Sequence, residues 1–214
     1  TSKCYRYYQC IREFECIMSQ LNVDTIGSQT GTTISIASGH TLDAGGLRLV
    51  NKTTVSAQNY ATVDNVFSST YSTYKIKVNL VASATDQLRM RFRTGGASGS
   101  DHSTSSLYKY NYNYVPIGSS TGQTHLGATT NNYWQLASGF SGNTGFQVEL
   151  YNPFEAKNTL GIWEVMGSQS GTDYFYFGGG VVEDTTSLTG FGFYLNTSDR
   201  TLTGEILTYG YSEV

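Results

Sequence analysis

Alternation of apolar and polar residues dominates the chain from about residue 53 onward. In YKIKVNLVA, Tyr74, Ile76, Val78 and Leu80 share one face and Lys75, Lys77 and Asn79 the other. In QLRMRFRT, Leu88, Met90 and Phe92 oppose Arg89, Arg91 and Arg93. In LYKYNYNYV, Tyr108, Tyr110, Tyr112 and Tyr114 oppose Lys109, Asn111 and Asn113. FQVEL, IWEVM, YFYF, GFGFYL and LTGEILTYGY continue the pattern. Period two with one polar face is the mark of antiparallel strands wetted on one side. Roughly eight or nine such runs, separated by Gly/Ser/Thr/Asn turns, predict an all-β antiparallel two-sheet β-sandwich of jelly-roll type.

The pattern also divides the chain. Residues 53–214 carry the sandwich. Residues 18–52 hold only short apolar pulses, Ile34/Ile36, Leu42 and Leu47/Leu49, between turn residues. Strands this short do not bury a face alone. They read as a shaft or attachment segment, intertwined with other copies, or as a linker with one hairpin. Residues 1–17 form an atypical leader, rich in Cys, Tyr and Arg.

Composition agrees with a β fold. Aromatics make up 14% of the 214 residues and Gly contributes 24, while Pro contributes only 2. The net charge of −3 gives no general pull toward nucleic acid. No stretch approaches the roughly 20 apolar residues of a bilayer-spanning helix, so no membrane insertion is expected. Cys4, Cys10 and Cys16 are the only cysteines. Their spacing is wider than the usual zinc pair, and the cysteine-free body must hold by burial without disulfides. No metal site or cofactor is expected.

Catalytic chemistry has little to stand on. His40, His102 and His125 fall in polar loops, and no G-x-S-x-G nucleophile elbow occurs. Asp101/His102 and Glu183/Asp184 are the best local clusters for a cation. Glu149, Glu155, Glu164 and Asp173 are the carboxylates from which a hydrolytic pair would come, and their separation would decide the mechanism. Glu149 and Glu164 alternate with apolar residues, which places them on solvent faces. RMRFR (89–93), QVE (147–149) and YFYFG (174–178) approximate the central strands of jelly-roll polysaccharide lyases, which read R-S-E-L-R, Q-I-H and Y-F-K-A-G. The histidine and lysine of those patterns are missing here, and a lyase without its base does not turn over. No catalytic residue is assigned.

Two surfaces are candidates for binding. Lys75, Lys77, Arg89, Arg91 and Arg93 lie on the outward faces of two runs that, paired as a hairpin, would form one cationic patch for an anionic polysaccharide or lipopolysaccharide. Tyr108, Tyr110, Tyr112 and Tyr114, with Trp134 nearby, would stack on sugar rings. A core or subunit-contact role is the alternative for both sets.

Several strings, in order, resemble virion appendage proteins of tailed phages, especially marine and cyanobacterial ones. They are MSQLNVDTI from Met18, GTTISIASGHTLDAGG, FSSTYSTYKIKVNL, WQL, ELYNPF and TSLTGFGFYLNTSDRTLTGEILTYGYSEV. The resemblance covers Met18 to the C-terminus. It implies a tail-fibre or head-fibre subunit with a β-sandwich tip, a homotrimer built with other virion proteins and displayed outside the virion after assembly in the host cytoplasm. Its expected function is adhesion to host surface polysaccharide or lipopolysaccharide. A decoration or assembly protein that binds only virion proteins, and a polysaccharide depolymerase, are the alternatives. Proteins of this type open at the equivalent of Met18, so Thr1–Ile17 is expected to be translated from upstream of the true start.

Overall fold

A computed structural model describes residues 46–118, 122–169 and 171–212. The leader, residues 1–17, and residues 18–45 of the expected shaft lie outside the described residues. Eleven strands form among those described: β1 (Gly46–Gln58), β2 (Tyr60–Val63), β3 (Thr73–Thr94), β4 (Ser100–Asp101), β5 (Tyr108–Pro116), β6 (Thr124–Asn131), β7 (Trp134–Tyr151), β8 (Thr159–Gln169), β9 (Thr172–Val182), β10 (Gly190–Leu195) and β11 (Leu202–Ser212). Every pairing is antiparallel. β1 begins at Gly46, ahead of the expected boundary at residue 53, because Leu47 and Leu49 pair with Tyr211 and Tyr209 of β11.

The larger sheet runs β1-β11-β3-β7-β8-β9-β5-β6. The smaller one grows from the same two central strands. Tyr74–Ala82 of β3 pairs with β11, whereas Leu88–Arg93 pairs with β10, which carries β2 on its other side. β7 follows: Gly142–Tyr151 lies beside the first half of β3 and Trp134–Phe140 beside the second. The register shifts between Ala82 and Arg89. Bulges of this kind let a strand bend out of one sheet and into another. The segment ASATDQ at the bend has no Asn-Gly or Gly-Gly turn, so it does not close the expected hairpin. The two runs are one strand, and Asp86 fixes the bend, its Oδ2 accepting from Thr197 N (2.7 Å).

The result is the expected all-β antiparallel sandwich, with the core between the two halves. Tyr74, Ile76, Val78 and Leu80 are buried from one half of β3, and Leu88, Met90 and Phe92 from the other. Phe193 of β10 meets Phe146 of β7 edge-on at 5.0 Å, and Trp134 stacks on Trp163 at 5.8 Å. Each such side chain contributes about 1.5–3 kcal/mol on burial. The indoles fit because strand glycines leave room. A Cβ on Gly161 would come 2.7 Å from the Trp134 ring, and one on Gly180 would come 2.7 Å from its Nε1.

Candidate functional site

The outer face of the larger sheet carries the outward half of each alternating strand. Antiparallel register aligns these residues in rows across the strands. One row runs Tyr209, Lys75, Glu149, Ile162, Gly179, Asn111. The next runs Leu207, Lys77, Gln147, Glu164, Phe177, Asn113. Neighbouring strands stand about 4.8 Å apart, so side chains in a row are in reach of one another.

Two hollows open between the rows. One, about 490 Å³, is bounded by Lys77, Gly145, Met166, Phe175 and Leu207. The other, about 380 Å³, is bounded by Lys75, Asn111, Glu149, Ile162 and Gly179. Both include Gln147 and Glu164, so they form one trough. A missing side chain lies in each: Gly145 has open space where its Cβ would stand, and Gly179 meets nothing closer than 3.3 Å.

The polar groups are held in place. Gln147 Nε2 donates to Glu164 Oε2 (2.7 Å). Glu149 takes a tyrosine hydroxyl on each oxygen, from Tyr151 to Oε1 (2.6 Å) and from Tyr211 to Oε2 (3.1 Å). That bond, and then burial, pushes the Tyr151 phenol up to about 12, so it stays a donor at neutral pH. Phe175 and Phe177 stack on each other at 5.7 Å along β9 and present an aromatic strip to the trough. Lys75 and Lys77 make no ion pair among the described residues. Ammonium, carboxylate, amide and aromatic groups thus face one surface, which suits a ligand rich in hydroxyls with apolar ring faces.

The expected patches are placed differently. Lys75 and Lys77 line the trough, but Arg89, Arg91 and Arg93 lie on the smaller sheet, since β3 crosses between the layers. A single five-cation patch does not form. Arg93 Nε donates to Asp64 Oδ1 (2.6 Å) and its Nη1 to Asp101 Oδ1 (2.5 Å). Arg91 donates to Asp101 Oδ2 (3.0 Å), Asn132 O (2.9 Å) and the Tyr194 hydroxyl (3.0 Å). Arg89 lies 4.2 Å over the Tyr133 ring and donates to Gln87 Oε1 (2.7 Å). The bond to Asp64 above all raises the Arg93 pKa further.

The four tyrosines do share a face, and it is the inner one. Tyr108, Tyr112 and Trp134 are 0%, 1% and 0% exposed, while Tyr110 and Tyr114 are half-buried against the core. Stacking on a sugar is therefore closed to Tyr108, Tyr112 and Trp134. Their polar tips find partners inside: the Tyr108 hydroxyl donates to His102 O (2.7 Å) and accepts from Phe92 N (3.0 Å). Burial drives the Tyr108 and Tyr112 pKa values upward. The local acidic clusters also find other uses. His102 is not a solvated loop residue, since its Nε2 lies 2.9 Å from Asp184 Oδ2. His125 is in β6, and His40 lies outside the described residues.

Sequence reasoning missed Gln147, Asn111, Asn113, Phe175 and Phe177 as a set. Each belonged to an alternating run, but only the pairing of β7, β8, β9 and β5 aligns them. QVE and YFYFG both reach the trough, whereas RMRFR belongs to the other sheet. Comparison with protein-family models, with curated proteins and with solved structures finds no match.

Proposed function

We propose that the chain is the glycan-binding β-sandwich of a tailed-phage virion appendage, a fibre-like subunit that attaches the particle to host surface polysaccharide. Support for the phage assignment comes from the ordered strings between Met18 and the C-terminus. The binding role rests on one observation: amide, carboxylate and ammonium groups beside the Phe175/Phe177 strip, in a trough that the described side chains leave open. A single shallow site binds weakly. A trimer with several copies on one particle would raise the effective affinity by about 10²–10⁴ without new contacts.

The test is binding of the full chain to host cell-surface glycans, with Phe177→Ala and Gln147→Ala beside the wild type. Loss of the stacking ring or the central amide weakens binding about tenfold or more, at unchanged melting temperature. A blank result for the wild type, with co-purification of other virion proteins, replaces adhesion with the decoration reading.

Depolymerisation is the second reading, favoured by Glu149 and Glu164 standing on adjacent strands of one trough. A carboxyl serves as general acid when an apolar enclosure keeps it protonated. Glu164 is exposed and Glu149 is bound by two hydroxyls, so the geometry suits holding a sugar better than cleaving one. New reducing ends or unsaturated products from host polysaccharide would reverse that order.

A further inference from the structure

Resting on the glycan-binding reading, we propose that the trough takes an uncharged oligosaccharide long enough to occupy both hollows. Charge is the first argument. Lys75 and Lys77 meet Glu149 and Glu164 in the same two rows, with Lys75 directly opposite Glu149. At the rim, Lys52 lies 2.8 Å from Glu205 and neutralises it. A polyanion would gain the lysines and be laid against two carboxylates in the floor. A polycation would meet the reverse. Like-charge juxtaposition of this kind selects against both. Hydroxyls, which donate and accept, satisfy every group in the trough.

Geometry sets the length. Gly145 and Gly179 mark the two hollows. Four residues along β7, from Gly145 to Glu149, and two strand spacings, from Glu149 through Ile162 to Gly179, put them roughly 16 Å apart on the diagonal. One sugar ring fills one hollow and does not reach the other. Gln147 and Glu164, shared by both, hold the rings between.

The experiment compares neutral glucan, galactan and N-acetylglucosamine oligomers of one, three and six units with hexamers of alginate and hyaluronate. Titration calorimetry is run with the full chain. A neutral hexamer is expected to bind at least about tenfold tighter than its monomer. Its affinity is expected to change less than about twofold between 0.05 and 0.5 M salt. Gly145→Trp, whose side chain enters open space, removes the gain from three to six units at unchanged melting temperature. Steeply salt-dependent binding to alginate or hyaluronate alone overturns the uncharged ligand and leaves the trough a glycan site. Equal affinity for monomer and hexamer overturns the two-hollow reading. No binding to any member of either series removes the inference and the function beneath it together.

Discussion

The two halves of β3 carry the same alternation of apolar residues and cations, and their cations meet opposite fates. Lys75 and Lys77 face a trough with no ion pair among the described residues. Arg91 and Arg93, less than one bend further on, spend their donors on Asp64, Asp101, Tyr194 and backbone oxygens. Arg93 is only 12% exposed, and Tyr60 adds its hydroxyl to the same Asp101 (2.7 Å). Strand period puts a charge outside a core; the strand alongside decides whether that charge is available. One half of β3 is a finished structural surface, and the other leaves its lysines without an ion pair among the described residues.

Removal of one cation from each half breaks this comparison most sharply. Arg93→Ala leaves Asp64 without its cation and Asp101 with only Arg91 and Tyr60, and is expected to cost about 3 kcal/mol in urea unfolding. Lys77→Ala is expected to change stability by less than about 0.5 kcal/mol. Equal costs would mean the lysine half is as structural as the arginine half.

Glycines on the two sides of the larger sheet sharpen the contrast. Gly180→Ala drives a methyl toward Trp134 Nε1 and Lys109 O, at 2.7 and 2.8 Å, and is expected to lower stability by about 2 kcal/mol. Gly145→Ala enters open space and is expected to be neutral or stabilising by a few tenths of a kcal/mol, roughly the entropy a strand glycine loses. Thermal melts of the pair report the difference, and a destabilised Gly145→Ala would argue that the hollow is not empty.

The smallest effect concerns Asp184, beside His102. Burial acts to raise the Asp184 pKa, but bonds from the Thr186 hydroxyl, from the Thr185 and Thr186 amides, and the nearby His102 outweigh it and lower the value. A lowered folded value means the contribution is complete above the ordinary carboxylate pKa near 4. It declines as pH falls below that and is gone once Asp184 itself protonates. Wild type is therefore expected to exceed Asp184→Asn by about 0.5 kcal/mol at pH 7 and to converge with it in acid. A gap that persists at pH 2 would show that the charge is not what matters.

Much of this was legible in the alternation. The inward set of β3, from Tyr74 to Phe92, is the buried set, and the all-β sandwich follows from such runs. Period two does not say which of two amphipathic faces turns inward. For β5, the tyrosines looked like a platform, yet their large apolar rings make them the better core and leave Asn111 and Asn113 to the surface. Nor does sequence distance show a bend. RMRFR and YKIKV read as two strands because the ten residues between them, 79–88, carry no sign of a strand that turns a corner unbroken, and the ladder partners that carry β3 across, β10 and β11, come from the far end of the chain. The trough needed both facts, since its rows exist only after six strands from separate regions are in register.

The crossing of β3 and β7 between the layers has a kinetic consequence. Neither sheet can form and persist without the other, because each borrows half of the same two strands. Unfolding should therefore be a single cooperative step. The shared ladder joins Tyr74 to Leu150 and Met90 to Trp134, contacts remote along the chain, and closing such long loops before any reward places the domain among slow folders. By the same sharing, a sugar bound as proposed would hold the entire domain shut, with hydrogen exchange slowed as far away as β10.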